Sequence, residues 1–238
     1  MYLCAKAGIY SIGEIGNGIC MLKAVIFDYD DTLVMSSRAL FGADSETASL
    51  LGLEPAGMEK YFSAWGRPHR EMIRILYPGM DYEEYMKTYK TVYKWENVKL
   101  AAGVEEALKA LKEKGLKLAV LSAKEGAFLE ESLKRNRIRH YFDYIHSAES
   151  SVYKKPDPRV FDDVVKALKV HPSETAYVGD MTMDFLAASA AHIRFVGVAT
   201  GIESAEKLRA NGCTDVISGI RGIGKLLGDE KKKKVSGR

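Results

Sequence analysis

Residues 24–32 read AVIFDYDDT, four apolar residues followed at once by three carboxylates within four positions. Ala24 to Phe27 carry no polar position that would give a strand a wet face, so the run reads as a strand buried on both sides. Asp28, Asp30 and Asp31 then crowd its carboxyl end. Like charges this close raise one another's pKa values unless something cationic stands between them. The chain supplies no cation within the stretch, and a metal ion is the first candidate. A parallel sheet with helices on both faces takes its ligands at the carboxyl ends of its strands, and that is where these acids fall.

Working outward, the rest of the chain repeats the pattern. VEEALKALKEKG, from Val104, is an amphipathic helix stopped by Gly115, and LKLAVLS is a short apolar strand. Further strand patterns are YFDYIHS, TAYVGD, RFVGVAT and TDVIS, separated by the helix patterns DPRVFDDVVKALKV and DFLAASAAH. Such alternation predicts an α/β fold, a doubly wound Rossmann-like parallel sheet. Between Ser36 and Asn97 the sequence is helix-prone with no strand pattern, and it is far too long for a crossover loop. It reads as an inserted all-α cap domain over the strand ends. The expected division is residues 21–35 and 98–228 for the catalytic core and 36–97 for the helical cap. Residues 1–20 are expected to be a dispensable extension, since MLKAVIFDYDDT opens a domain by itself, and 229–238 a disordered basic tail.

Composition narrows the class. The chain has 238 residues, 47% of them hydrophobic, with a formal net charge of +3. Much of the positive sign comes from EKKKKVSGR at the end, which leaves a near-neutral body and points to neither nucleic acid nor a membrane surface. No apolar run approaches the ~20 residues of a membrane-spanning helix. Three scattered cysteines, Cys4, Cys20 and Cys213, fit neither a disulfide framework nor a thiolate metal site, and a cytoplasmic location is expected. His140, His146, His171 and His192 have no ligand-like spacing.

The remaining chemistry-bearing residues fall at the same edge. Ser122 ends the second strand, Asp180 ends TAYVGD, Asp184 lies four residues on, and Lys155 sits in a loop before a helix. Taken singly, each has an ordinary structural role as a turn residue, a cap or a solvated charge. Taken together and in order, they resemble the haloacid dehalogenase superfamily. DYDDTL matches its first motif, Asp-x-Asp-x-Thr; LSAK the second, a Ser or Thr after a strand; KKPDP the third, a Lys before Pro; and GDMTMD the fourth, Gly-Asp-x-x-x-Asp. The resemblance runs from Met21 to about Gly228.

That resemblance implies a Mg²⁺-dependent phosphatase acting on a small phosphorylated metabolite through an aspartyl-phosphate. It makes Asp28 the nucleophile and Asp30 the general acid and base. Mg²⁺ would be held by the Asp28 carboxylate, the Asp30 backbone carbonyl and Asp180, with Asp184 acting directly or through water. Ser122 and Lys155 would bind the transferring phosphoryl oxygens, the lysine also offsetting the acidic cluster. Asp30 favours phosphate esters over carbon–halogen bonds, because relatives that cleave the latter lack it. Asp31 replaces the commoner Gly of the motif and reads as a turn residue, and Ala123 stands where many relatives have Asn.

An insert directly after the first motif resembles the helical cap of phosphoglycolate phosphatases and their relatives. Within it, AWGRPHREMI resembles the Gly-x-Pro segment that reaches the active site there. Gly66, Arg67, His69 and Arg70 are therefore the candidates for substrate specificity, with Arg67 suited to a second anionic group such as a carboxylate. The alternatives are a phosphomutase on the same core, against which Asp184 counts, and a phospho-receiver or binding protein without turnover, against which the long insert and Asp30 count.

Overall fold

The computed structural model describes residues 21–227, so the expectations for the first twenty residues and for the basic tail lie outside the described residues. In chain order the elements begin with β1 (Ala24–Phe27) and β2 (Val34–Met35), followed by α1 (Ser37–Leu50), α2 (Met58–Ala64), α3 (His69–Leu76) and α4 (Tyr82–Val92). After β3 (Lys99–Leu100) come α5 (Val104–Glu113), β4 (Lys117–Leu121), α6 (Gly126–Arg135) and β5 (Tyr144–His146). The chain closes with α7 (Asp162–Leu168), β6 (Thr175–Gly179), α8 (Thr182–Ala190), β7 (Arg194–Val198), α9 (Ala205–Ala210), β8 (Val216–Ile217) and α10 (Ile223–Leu226).

Six strands form one sheet in the order β5-β4-β1-β6-β7-β8, and every neighbouring pair is parallel. β1 lies at its centre, with Ala24 level with Lys117 on one side and with Thr175 on the other. The period of two divides the core. Val25, Phe27, Leu118, Val120, Val178 and Val196 face one helical layer, where they meet Leu108 and Leu111 of α5 and Leu129 and Leu133 of α6. Ile26, Ala119, Leu121, Tyr177 and Phe195 face the other, packed on Val164 and Leu168 of α7, Ala187 and Ala188 of α8, and Leu208 of α9. A fully buried leucine of this kind contributes roughly 1.5–3 kcal/mol, so the two layers hold the strand ends in register. The doubly wound α/β fold expected from the alternation is the fold observed.

Several elements are shorter than their patterns. Of YFDYIHS only Tyr144–His146 pairs, because Arg139–Tyr141 forms a 3₁₀ turn instead. DPRVFDDVVKALKV divides into a 3₁₀ turn at Pro158–Phe161, started by Asp157 accepting the Arg159 N–H, and then α7.

All four helices from α1 to α4 lie between β2 and β3, and no strand occurs among residues 37–97. β2 and β3 pair antiparallel, Val34 with Leu100 and Met35 with Lys99. This short ribbon had no pattern in the sequence. It ties together the two connections of the helical insert, whose buried side chains run continuously into the core layer that carries Val25 and Phe27.

Candidate active site

Asp28 is the first residue beyond β1, and its N–H donates to the Val178 carbonyl at 2.8 Å, fixing it beside the end of β6. The chain then turns tightly. Leu33 and Val34 donate to the Tyr29 carbonyl at 2.9 and 3.1 Å, and Asp31 sits in the left-handed region at φ +60°. Asp tolerates that region better than most residues because its short side chain bonds locally. Asp31 Oδ1 accepts the N–H groups of Ser36 and Ser37 at 2.9 and 3.0 Å, placing a carboxylate on the N-terminus of α1. The three acids of the opening stretch therefore part company: Asp28 and Asp30 line a cavity, while Asp31 starts a helix.

Asp30 is held from two sides. Ser36 donates to its Oδ1 at 2.7 Å, and Lys124 Nζ pairs with the same oxygen at 3.1 Å. Lys124 follows β4 in the loop that also carries Ser122, whose Oγ accepts the Lys124 N–H at 3.1 Å. Burial works against the Lys124 charge, but Asp30 outweighs it and holds the ammonium above its ordinary pKa.

Lys155 is the hub of the other side. Its Nζ, on a side chain only 6% exposed, donates to Asp28 Oδ1 at 2.7 Å, to Asp184 Oδ1 at 2.6 Å and to the Tyr177 hydroxyl at 3.1 Å. Tyr177 in turn donates to Asp184 Oδ1 at 2.9 Å. Asp184 Oδ2 accepts the Met181 N–H at 3.0 Å, closing the first turn of α8 as a capping carboxylate does. Both oxygens of Asp184 are thus spent within the protein. Burial opposes the Lys155 charge, yet Asp184 and Asp28 outweigh it and keep the group protonated well above its usual range.

Asp180 follows β6 and is 1% exposed. Its Oδ1 accepts from Thr32 at 3.2 Å, and its Oδ2 is buried with no hydrogen-bond partner among the described residues. Burial, then the charges of Asp28 and Asp184, push its carboxyl well above the usual range. Asp28 is pushed up to about 8, by burial first, with Lys155 opposing and Asp184 adding to the rise. Two buried carboxylates facing one another with an orphaned oxygen are what a hard divalent cation with oxygen ligands would relieve. The donor set fits such an ion. Among the described residues no three His, Cys, Asp or Glu side chains form a metal cluster by themselves, so a third ligand would have to be a backbone oxygen or water.

The insert roofs this edge and encloses a cavity of about 760 Å³, counting space open to solvent. Asp28, Asp30, Ser122, Lys155, Asp180 and Asp184 line its floor. Gly66, Arg67 and His69 line its roof. Gly66 has φ +84°, and a Cβ there would stand 2.8 Å from Met183 Sδ, so the loop packs directly on the start of α8. Arg67 donates to the Ser63 carbonyl at 3.0 Å, and His69 Nε2 stands 2.9 Å from buried Asp44 Oδ1. Arg70 is not brought to the cavity: its guanidinium pairs with Glu83 at 2.6 Å on the surface, over the Tyr82 ring.

Sequence reading gave no role to Lys124, Tyr177, Gly201 or Thr32, the last of which closes the Asp-x-Asp-x-Thr motif. Lys124 carried a signal, two residues past Ser122 at the end of the quoted LSAK, whereas Tyr177 reads as an ordinary apolar strand position until its hydroxyl is seen on Lys155. Gly201 is visible only in three dimensions, where a Cβ would stand 1.8 Å from Asp180 Oδ2.

With this geometry in hand, known proteins give the wider frame. Residues 25–198 match the family model described as haloacid dehalogenase-like hydrolase. The chain is 29% identical over 214 residues to phosphoglycolate phosphatase 1 of Pseudomonas aeruginosa, covering 84% of this chain and 78% of that one. It is 32% identical over 192 residues to PpaX of Clostridium perfringens, provisionally named a pyrophosphatase, covering 79% and 89%. A crystal structure from Bacteroides fragilis, provisionally described as a haloacid dehalogenase-like hydrolase, superposes with a TM-score of 0.75 at 26% identity, covering 85% of this chain and 99% of that one.

Proposed function

The chain belongs to the haloacid dehalogenase-like hydrolase family, and from that premise we propose that it is a Mg²⁺-dependent phosphatase releasing inorganic phosphate from a small phosphorylated metabolite through an aspartyl-phosphate on Asp28. One observation carries this reading. Asp28 is held by Lys155 at the edge of a parallel sheet and lines one cavity with Asp180, whose Oδ2 is buried without a partner, while Asp30 faces the same cavity on separate partners.

Asp28, Asp180 and the Asp30 backbone carbonyl would hold Mg²⁺, with Asp184 reaching it through water, since its own oxygens are engaged by Lys155, Tyr177 and Met181. When bound, the cation would offset the mutual repulsion of the two buried carboxylates and of the phosphoryl oxygens, which restores Asp28 to its ionised form. Lys155 holds Asp28 Oδ1, so Oδ2 is the attacking oxygen. As the bond from Oδ2 to phosphorus forms, the bond from phosphorus to the leaving oxygen breaks, and Asp30 gives that oxygen its proton. Asp30 then takes a proton from water, whose oxygen attacks the phosphorus and returns the Asp28 carboxylate. Ser36 and Lys124 keep the Asp30 carboxyl in one place for both half-reactions. The Ser122 hydroxyl accepts from Lys124 and has its own proton left for a phosphoryl oxygen. The insert 36–97 acts as a cap that excludes water from the first half-reaction, with Gly66, Arg67 and His69 meeting the leaving group.

The test is hydrolysis of 4-nitrophenyl phosphate by the full chain with and without Mg²⁺, beside Asp28→Asn. Activity that needs the metal and disappears in the variant, with the fold intact by circular dichroism, is expected. Undiminished turnover by Asp28→Asn overturns the assignment.

A further inference from the structure

The segment that follows β7, ATGIES at 199–204, belongs to none of the four motifs and lies beyond the stretch matched by the family model. It nevertheless meets the floor of the site at three points. Thr200 Oγ1 donates to the Asp31 carbonyl at 2.7 Å, on the turn that leaves Asp28. Gly201 packs against Asp180 so closely that a side chain would collide with Oδ2. Glu203 completes the series, its Oε2 accepting both the N–H and the hydroxyl of Thr182, at 2.7 and 2.5 Å.

Glutamate is seldom buried without a partner, and Glu203 is only 8% exposed. Its other oxygen takes Lys207 Nζ at 2.7 Å, which leaves Oε2 to Thr182. Thr182 is the first residue of α8, where the N–H has no acceptor within its own helix. A borrowed carboxylate there would by itself be an ordinary cap, but two features give it a further role. The same oxygen binds the Thr182 hydroxyl, so side chain and peptide are fixed together. The turn so fixed also carries two of the acids assigned to the metal, Asp180 two residues before Thr182 and Asp184 two after it. Within the turn, Met181 donates to Asp184 Oδ2 and Asp184 donates to the Met181 carbonyl, both at 3.0 Å. The turn is therefore stiff in itself, and what remains to be set is its place against Asp28 at the end of the neighbouring strand. Thr32 and Lys155 hold its two carboxylates from within the site. Glu203, which does not line the cavity, holds its backbone from β7.

We propose that Glu203 is a positioning residue for the metal site: through Thr182 it sets where Asp180 and Asp184 stand relative to Asp28, and thereby the affinity for Mg²⁺, without touching the ion. This rests on the metal assignment given under the proposed function. Groups that orient metal ligands from behind contribute roughly ten- to a hundredfold in metal affinity.

The experiment measures metal binding by the full chain with no substrate present. Mn²⁺ is titrated with the free ion read by electron paramagnetic resonance, and Mg²⁺ affinity is obtained by displacement. Glu203→Ala should weaken both ions on the order of tenfold, while Glu203→Gln, whose amide oxygen can still accept from Thr182, should stay within about threefold of the parent. Asp81→Ala separates position from stability. It removes the side chain that accepts the Glu84 N–H at 2.9 Å at the start of α4, so its urea midpoint should fall while metal affinity holds. Should Glu203→Ala not fold, Thr182→Val takes its place and is judged by the same limit. Metal affinity within about threefold of the parent, whatever the urea midpoint, overturns the proposal and leaves Glu203 an ordinary helix cap. Equal weakening in Glu203→Gln, or in Asp81→Ala, overturns it as well, because the loss would then follow charge or general loosening and not the contact with Thr182. A parent that binds neither ion refutes the metal assignment and this inference together, whereas a parent that binds beside variants that bind equally well refutes this inference alone.

Discussion

Replacing Gly201 by alanine tests the metal site without substituting any ligand. The added Cβ would stand 1.8 Å from Asp180 Oδ2 and 2.6 Å from Asp180 Cγ, against an ordinary nonbonded separation of about 3.5 Å. One of the two must retreat by more than an ångström. The carboxylate is held at Oδ1 by Thr32, and the loop bearing Gly201 is held by Thr200 Oγ1 donating to the Asp31 carbonyl at 2.7 Å. Overpacking of this kind costs about 1–3 kcal/mol of stability. A catalytic group displaced by about 1 Å loses on the order of a hundredfold in rate. Gly201→Ala should therefore remain folded, with a lowered urea midpoint, while Mg²⁺-dependent hydrolysis of 4-nitrophenyl phosphate falls on the order of a hundredfold and requires more metal. Gly42→Ala is the control: a Cβ there meets nothing within 4 Å, and the position lies inside α1, so activity should hold and stability should rise by about 0.5–1 kcal/mol. If Gly201→Ala keeps its kcat/KM and metal titration within twofold of the parent, Asp180 does not hold the cation and the site has been misread.

Lys155→Met should leave Asp28 and Asp184 buried without their shared counter-charge and destabilise the fold by about 3 kcal/mol in urea titration, and a loss below about 1 kcal/mol would mean the carboxylates find other partners. Asp31→Ala removes the one oxygen that accepts both N–H groups at the start of α1 while retaining the positive φ, so about 2 kcal/mol should be lost by the same measurement, with Asp31→Asn recovering part of it. Arg70→Ala, on a side chain paired with Glu83 at the surface, should leave the ranking of phosphate esters unchanged; a changed ranking would place Arg70 in the cavity when substrate is bound.

The sheet was legible because its strands are buried on both faces: a parallel sheet under two helical layers makes continuous apolar runs such as AVIF and LAVL acceptable, and the helix patterns between them point to that sheet. The floor of the site was legible for a related reason, since strand ends fall in sequence where the apolar runs stop, and Asp28, Ser122 and Asp180 stand at three such stops. What escaped depends on contacts between distant segments. The pairing of Lys155 with Asp184 and Tyr177 crosses 29 and 22 positions, and that of Lys124 with Asp30 joins two different loops. The roof was least legible, because a helix pattern gives the face a residue occupies but not which neighbouring turn it meets. Arg67 and Arg70 stand three positions apart in one segment, yet the first lines the cavity and the second faces Glu83.

The two-residue ribbon of β2 and β3 makes the helical insert an interchangeable part. Val34 and Leu100 pair directly, so the chain leaves the sheet layer and returns to it one ladder spacing apart, about 4.8 Å. A segment that begins and ends on adjacent antiparallel strands, from a two-residue Asn-Gly hairpin to another bundle of helices, meets both ends of this junction, and it must also cover the apolar side chains through which the insert joins the core layer of Val25 and Phe27. A family that inherits this junction can retain one phosphoryl-handling floor and change its clientele by cassette exchange at Met35 and Lys99. For the protein engineer the same junction offers a place to graft a foreign roof, with the length of the graft set by its own packing and its two ends already aligned.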